Sequence, residues 1–159
     1  MGRVAQFIGH LTARVSADEE ALVRRVLPPA ARDLFSAMPV ADRRHALDVA
    51  HHLLARGHDD PDLLAAALLH DAAKGHRMRL WHRVGGVLLA AAAPRLLQRL
   101  ASPDPASRGY PWHLYLHHAT LSADAALGAG CSRRTAELIR GGARDIGAQR
   151  ALHAADEAS

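Results

Sequence analysis

The stretch Leu68-Leu69-His70-Asp71-Ala72-Ala73-Lys74-Gly75 closes an apolar run with an imidazole and a carboxylate side by side, then a lysine three residues on. Unpaired polar and charged groups at the edge of a core are costly, so His70 and Asp71 each need a partner. Two readings satisfy them. A divalent metal takes a neutral ring nitrogen from one and an anionic oxygen from the other, a mixed set that suits Zn, Fe, Mn or Ni. A hydrogen-bonded His–Asp pair at a helix C-terminus satisfies them without any ion. Lys74 is the only lysine among 20 basic residues, so the chain keeps a compact ammonium here where it uses guanidinium everywhere else.

The elements that must carry these groups are helices. Val4, Phe7, Ile8, Leu11 and Val15 recur at spacings of three and four, which predicts a helix over Val4–Arg14. Ser16 or Asp18 can cap the next one, with Glu19 and Glu20 in its first turn, and Pro28-Pro29 stops it near Leu27. A short helix runs on to about Met38, then Pro39 opens another from Val40 to about Arg56, with His45 among its apolar positions. Asp60-Pro61 supplies a cap and an N1 proline for a helix expected to continue through His70-Asp71 to Ala73, where Gly75 ends it. Leu80 to Ala93 reads as a helix broken at Gly85-Gly86, and Pro94 starts a turn to about Leu100. Ser102 to Pro111 is the one clear loop. Trp112 to Ala129 forms a long helix holding His113, His117 and His118; Ser132 caps a short one to Arg140, and Asp145 to Asp156 is the last.

Composition agrees with an all-α bundle. Aromatics make up 4% of 159 residues, alanine, leucine, arginine and histidine are abundant, and no strand-period alternation is visible. The length fits one domain. Cys131 is the single cysteine, which excludes an intrachain disulfide framework and a thiolate zinc cluster and suits a reducing cytoplasm. Leu88 to Ala93 is too short to span a bilayer, and the N-terminus lacks the unbroken apolar core of a signal peptide, so no membrane role is expected. The net charge of +4 permits anionic partners. The arginines form no block and have no interleaved aromatics, so nucleic acid is not an expected partner.

His45, the pair His70-Asp71, and Asp156 fall on three predicted helices, each in an apolar setting, and facing helices of a bundle are a standard source of metal ligands. The wording Arg44-His45-Ala46-Leu47-Asp48-Val49-Ala50, then Ala66-Ala67-Leu68-Leu69-His70-Asp71-Ala72-Ala73-Lys74, then Leu152-His153-Ala154-Ala155-Asp156 resembles the motif of the HD-domain superfamily of metal-dependent phosphohydrolases. The resemblance runs from Pro39 to Glu157. It implies an HD domain over residues 39–159, with residues 1–38 a helical extension packed on it. It further implies one divalent ion (Mn, Fe, Co, Ni, Zn or Mg) held by His45, His70, Asp71 and Asp156.

By the same resemblance Asp71 and Lys74 serve catalysis, Lys74 meeting the phosphate as a point charge, and the substrate is a nucleotide or related small phosphate ester. Some branches of the family hold a second metal through further histidines. Leu80-Trp81-His82-Arg83-Val84-Gly85-Gly86 resembles one such segment, and His118-Ala119-Thr120-Leu121-Ser122-Ala123 another, in which a glycine is usual where Ser122 stands. His82, His117 and His118 are thus candidates for a substrate contact or a second ion. Binuclear branches tend to carry a histidine where this chain has Gly142, so a mononuclear site is expected. His51, His52, His58, His76 and His153 read as ordinary surface or partly buried histidines. Asp156 stands close to the last residue, on a helix end expected to fray. The alternative of a different class is a catalytically silent HD domain that binds a nucleotide or a protein partner.

Overall fold

The computed structural model describes residues 15–75, 77–78 and 80–159. The helix expected over Val4–Arg14, with His10, lies outside them, as does His76. Among the described residues all regular structure is α-helical: α1 (Ala17–Val26), α2 (Pro29–Ala37), α3 (Val40–Ala55), α4 (Pro61–Leu69), α5 (Leu80–Ala92), α6 (Pro94–Leu100), α7 (Tyr110–Gly128), α8 (Arg133–Arg140) and α9 (Ile146–Glu157). None of these helices is long and apolar enough to cross a membrane.

The bundle is built around α4. Its residues Leu63 to Leu69 are all buried, and α1, α2, α3, α7, α8 and α9 pack on it from different sides. A helix apolar on every face has to be surrounded in this way. Each of its fully buried leucines is worth roughly 1.5–3 kcal/mol relative to exposure. Leu22 of α1, Phe35 of α2 and the C-cap residues Leu27 and Met38 that follow them join the same apolar cluster as α3 and α4. The Arg44 guanidinium ties α1 to α3, 2.6 Å from Glu19 and 2.9 Å from Asp48.

Polar groups fix the start of α4. The Asp60 side chain accepts from the N–H groups of Asp62 and Leu63, and Pro61 occupies N1, where its missing N–H costs nothing. Asp62 then accepts from the hydroxyls of Ser132 (2.7 Å) and Thr135 (3.0 Å) at the start of α8. Arg134 closes the knot, 2.6 Å from Asp60 and 2.9 Å from Asp145. With one end pinned, the other end of α4 is placed reproducibly, and that end carries His70.

α7 begins at Tyr110 and so takes in Pro111, which the sequence reading left in the loop, and two other elements differ more from that reading. α4 stops at Leu69 rather than Ala73. The chain then tightens into a turn in which Ala72 N–H donates to the Leu69 carbonyl and Lys74 N–H to the Asp71 carbonyl, and Gly75 leaves with φ +56°. Its physical reason is a competing partner: the Ala73 N–H donates to the buried Ser122 hydroxyl of α7 at 3.0 Å instead of to its own helix. The second difference is α5, which runs unbroken through Gly85-Gly86. These glycines permit a close approach, because a Cβ at Gly86 would stand 2.5 Å from the Tyr115 ring, and one at Gly85 would stand 3.0 Å from Trp112.

Candidate metal centre

Three elements deliver the ligand set. His45 comes from α3, His70 caps the C-terminus of α4, and Asp156 lies in the last turns of α9. One ligand atom from each falls within 4.8 Å of the others, so the group can hold a metal ion. The His45 Nε2–H donates to Asp156 Oδ1 at 2.8 Å. His70 Nε2 lies 3.4 Å from the same oxygen and 3.7 Å from Asp71 Oδ2. The two imidazoles meet edge to face, with centroids 5.4 Å apart.

The hydrogen bonding of His70 decides what it can offer. Its Nδ1–H donates to the Ala67 carbonyl at 2.9 Å, which fixes the tautomer and leaves a lone pair on Nε2. That Nε2 is buried and has no aligned hydrogen-bond partner. Asp71 Oδ1 is buried and equally unpartnered. Two orphaned buried lone-pair donors, one imidazole nitrogen and one carboxylate oxygen, are the chemistry a divalent cation satisfies. The residues present fit such an ion.

Asp71 occupies a different position from the other three. Its Oδ2 accepts from the Lys74 ammonium at 2.6 Å, and its Oδ1 lies 4.0 Å from His118 Nε2. Asp71 therefore bridges the histidine cluster and Lys74. His118 repeats the His70 device: its Nδ1–H donates to the Tyr115 carbonyl at 2.9 Å, so Nε2 faces inward as an acceptor.

The electrostatics follow this geometry. The His45 hydrogen bond and the His70 ring 3.4 Å away hold the Asp156 carboxyl far below the usual carboxylate range, against a smaller opposing effect of burial. Burial pushes His70 toward the neutral form, but Asp156, Asp71 and the Ala67 carbonyl outweigh it and raise its pKa. Asp71 is buried, yet His70, Lys74 and His118 together keep its carboxyl ionised below the ordinary range. Burial and the Lys74 charge lower the pKa of His118, which favours its neutral ring.

A cavity of about 310 Å³ opens on this cluster, lined by His70, His118 and Asp156 at one end and by Leu138, Ile139, Gln149, Arg150 and Leu152 along its walls. His153, read from sequence as an ordinary histidine, is exposed and also lines it. His82 is buried against Trp81 and Trp112, with ring centroids 3.5 and 5.3 Å away, and is not on this cavity. His117 is exposed, its ring 4.5 Å from that of His113. Gly142 follows α8, and a Cβ built on it meets nothing within 4 Å.

Sequence reasoning missed Ser122 as the group that shapes the His70–Lys74 turn; its signal was a serine where the resembled segment usually has glycine. It also missed the α9 wall. Counting back from Asp156 by three, four and seven gives His153, Leu152 and Gln149, all on the cavity. Compared with family models, with curated proteins and with solved structures, the chain gives no match.

Proposed function

We propose that this chain is a metal-dependent phosphohydrolase of the HD-domain superfamily, acting on a nucleotide or a related small phosphate ester in the cytoplasm. The observation that carries the reading is the buried, unpartnered Nε2 of His70 beside His45 and Asp156. A divalent ion (Mn, Fe, Co, Ni, Zn or Mg) held by His45, His70 and Asp156, with Asp71 alongside, supplies Lewis acidity toward a phosphoryl oxygen and a water nucleophile near neutral pH.

The chain's own residues do the rest. Asp71 holds the Lys74 ammonium at the edge of the cluster and takes one of its three donors, which leaves two for a phosphate oxygen. Neutral His118 presents an acceptor nitrogen toward the same space, oriented by the Tyr115 carbonyl. Leu138, Ile139 and Leu152 exclude water from one wall, and the Arg150 side chain adds positive charge for an anion. A single ion suits this set, because Gly142 has no side chain to offer a second one.

A second reading has its own support: a silent HD domain that binds a nucleotide or a protein partner. The 2.6 Å Lys74–Asp71 pair neutralises both groups, and Gly142 removes a ligand. One experiment separates them. Protein purified without chelator is analysed for metal, then assayed on a panel of nucleotides and simple phosphate esters with each of the six ions. Close to one ion per chain, lost in His70→Ala, with turnover of at least one ester, supports the enzyme. Metal without turnover leaves the silent domain, and no metal in any preparation overturns the enzyme and also leaves the silent domain.

A further inference from the structure

Helix α5 and the adjoining α6 show water an apolar surface. Trp81, Val84, Leu88 and Ala91 recur at spacings of three and four, the signature of one helix face, and that face points outward. Trp81 is 58% exposed, Val84 54%, Val87 59% and Leu88 64%; Leu96 and Leu100 of α6 are exposed beside them. The opposite side, with Gly85 and Gly86, bears on Trp112 and Tyr115 of α7. A contiguous apolar face of this kind marks an interaction surface.

Charge says which kind. Between residues 72 and 103 the chain has six of its 20 basic residues and none of its 16 acidic ones, which leaves the rest of the sequence slightly acidic. Lys74 and Arg83 are committed to Asp71 and Asp42. Arg95 and Arg99 are exposed on α6 beside the apolar face, and Arg77, also exposed, stands over the Tyr110 ring. From Val84 to Ala93 no side chain can donate or accept a hydrogen bond, so the face cannot read the polar pattern of a particular peptide.

We propose that the α5–α6 face docks on the surface of an anionic lipid bilayer, lying in the interface without crossing it. Apolar residues with a tryptophan on one side and arginines at the margins are what an interfacial helix presents to such a surface. The arginines meet lipid phosphates while Val84, Val87 and Leu88 enter the headgroup boundary. A second copy of this chain is a poorer occupant. Antiparallel pairing about the middle of α5 would set basic residues against basic ones, because residues 72 to 103 hold no carboxylate to pair with Arg95 or Arg99 of the other copy. Val84, Val87 and Leu88 are exposed along α5, while the Trp81 ring at its start meets Trp112 of α7 edge to face at 5.8 Å. None of these residues belongs to the His45–His70–Asp156 group, so docking does not depend on the metal reading.

The test is co-sedimentation of the full chain with vesicles of phosphatidylcholine alone and of phosphatidylcholine mixed with phosphatidylglycerol. Binding to the mixed vesicles and not to the neutral ones is expected, with a blue shift of tryptophan emission. Leu88→Asp should weaken it by roughly tenfold or more with helical content unchanged, since Leu88 packs on little. The double change Arg95→Glu with Arg99→Glu, also at exposed positions, should do the same. No binding to anionic vesicles, or equal binding to neutral ones, overturns the proposal. So does binding that survives Leu88→Asp but is lost on Phe7→Asp, which would assign it to the amphipathic N-terminal stretch. A lipid-free dimer abolished by Leu88→Asp would give the face to a second copy and overturn it as well.

Discussion

Helices α4 and α5 are both rich in leucine and alanine, and the bundle treats them in opposite ways. In α4 every residue from Leu63 to Leu69 is buried, with neighbours on all sides. In α5 Trp81, Val84, Val87 and Leu88 are exposed, and the glycines bear on α7. The difference lies in what each helix meets. α4 is enclosed because a polar knot at Asp60 and Asp62 draws α8 onto it, while α3 and α9 close the other sides. α5 is held by a narrow contact in which Gly86 admits the Tyr115 ring, and the Arg83–Asp42 ion pair secures it to α3. Apolar composition thus states that a helix seeks a partner; whether the partner lies within the fold depends on what the rest of the chain sends there.

The comparison can be broken by substitution. Leu68→Ala, at a position with no exposure, should cost about 2–5 kcal/mol in denaturant unfolding, the range for a buried leucine whose cavity cannot collapse. A loss below about 1 kcal/mol would mean that α4 is not the axis of the bundle.

At the C-terminal end of α4, Lys74→Ala should reduce kcat/KM for a phosphate ester by roughly tenfold to a hundredfold, or about 1.5–3 kcal/mol, with metal content unchanged. Lys74→Arg should recover part of this, because a planar fork does not replace a compact ammonium. Loss of metal in Lys74→Ala would show that the ion pair with Asp71 builds the ligand set.

The same end of α4 should respond to pH in opposite directions with and without metal. In the metal-free protein the raised pKa of His70 stabilises the fold below histidine's unfolded value, and that contribution disappears as pH rises through the higher folded value. The depressed Asp156 carboxyl contributes above the unfolded carboxylate value and is lost only in strong acid. A metal needs His70 neutral, so its affinity should fall by up to about tenfold, or 1.4 kcal/mol, for each pH unit below the raised pKa. Melting temperatures across the neutral range, with and without metal, measure both slopes. Parallel slopes would place the ion away from His70.

The smallest effect belongs to α5. Leu88→Ala should change stability by no more than about 0.5 kcal/mol, since the side chain is mostly in water. A larger loss would mean that the face is covered within the folded chain.

These two helices also mark how far the sequence can be read. The all-α class, the Asp60-Pro61 start, the Ser132 cap and the spacing that puts His45, His70 and Asp156 on separate helices are local signals, and local signals survive folding. The end of α4 was misplaced because Ser122, 49 residues away from Ala73, takes a helix hydrogen bond that propensity would assign to the helix itself. The exposure of α5 was equally hidden: periodicity identifies a face but carries no sign for inside or outside. Asp71, grouped with the ligands by its place in the chain, is turned toward Lys74 by a contact that spacing alone does not rank above the histidines.

The hydrogen bond between His45 and Asp156 joins residues 111 positions apart. Closing a loop of that length is entropically late, after the local helices and the nearer pairings have formed. A nascent or partly folded chain can therefore carry His70-Asp71 just beyond the end of α4 and still lack the pocket for an ion. The His45–His70–Asp156 group is complete only once α9 has docked, so any metal uptake would report completed tertiary structure.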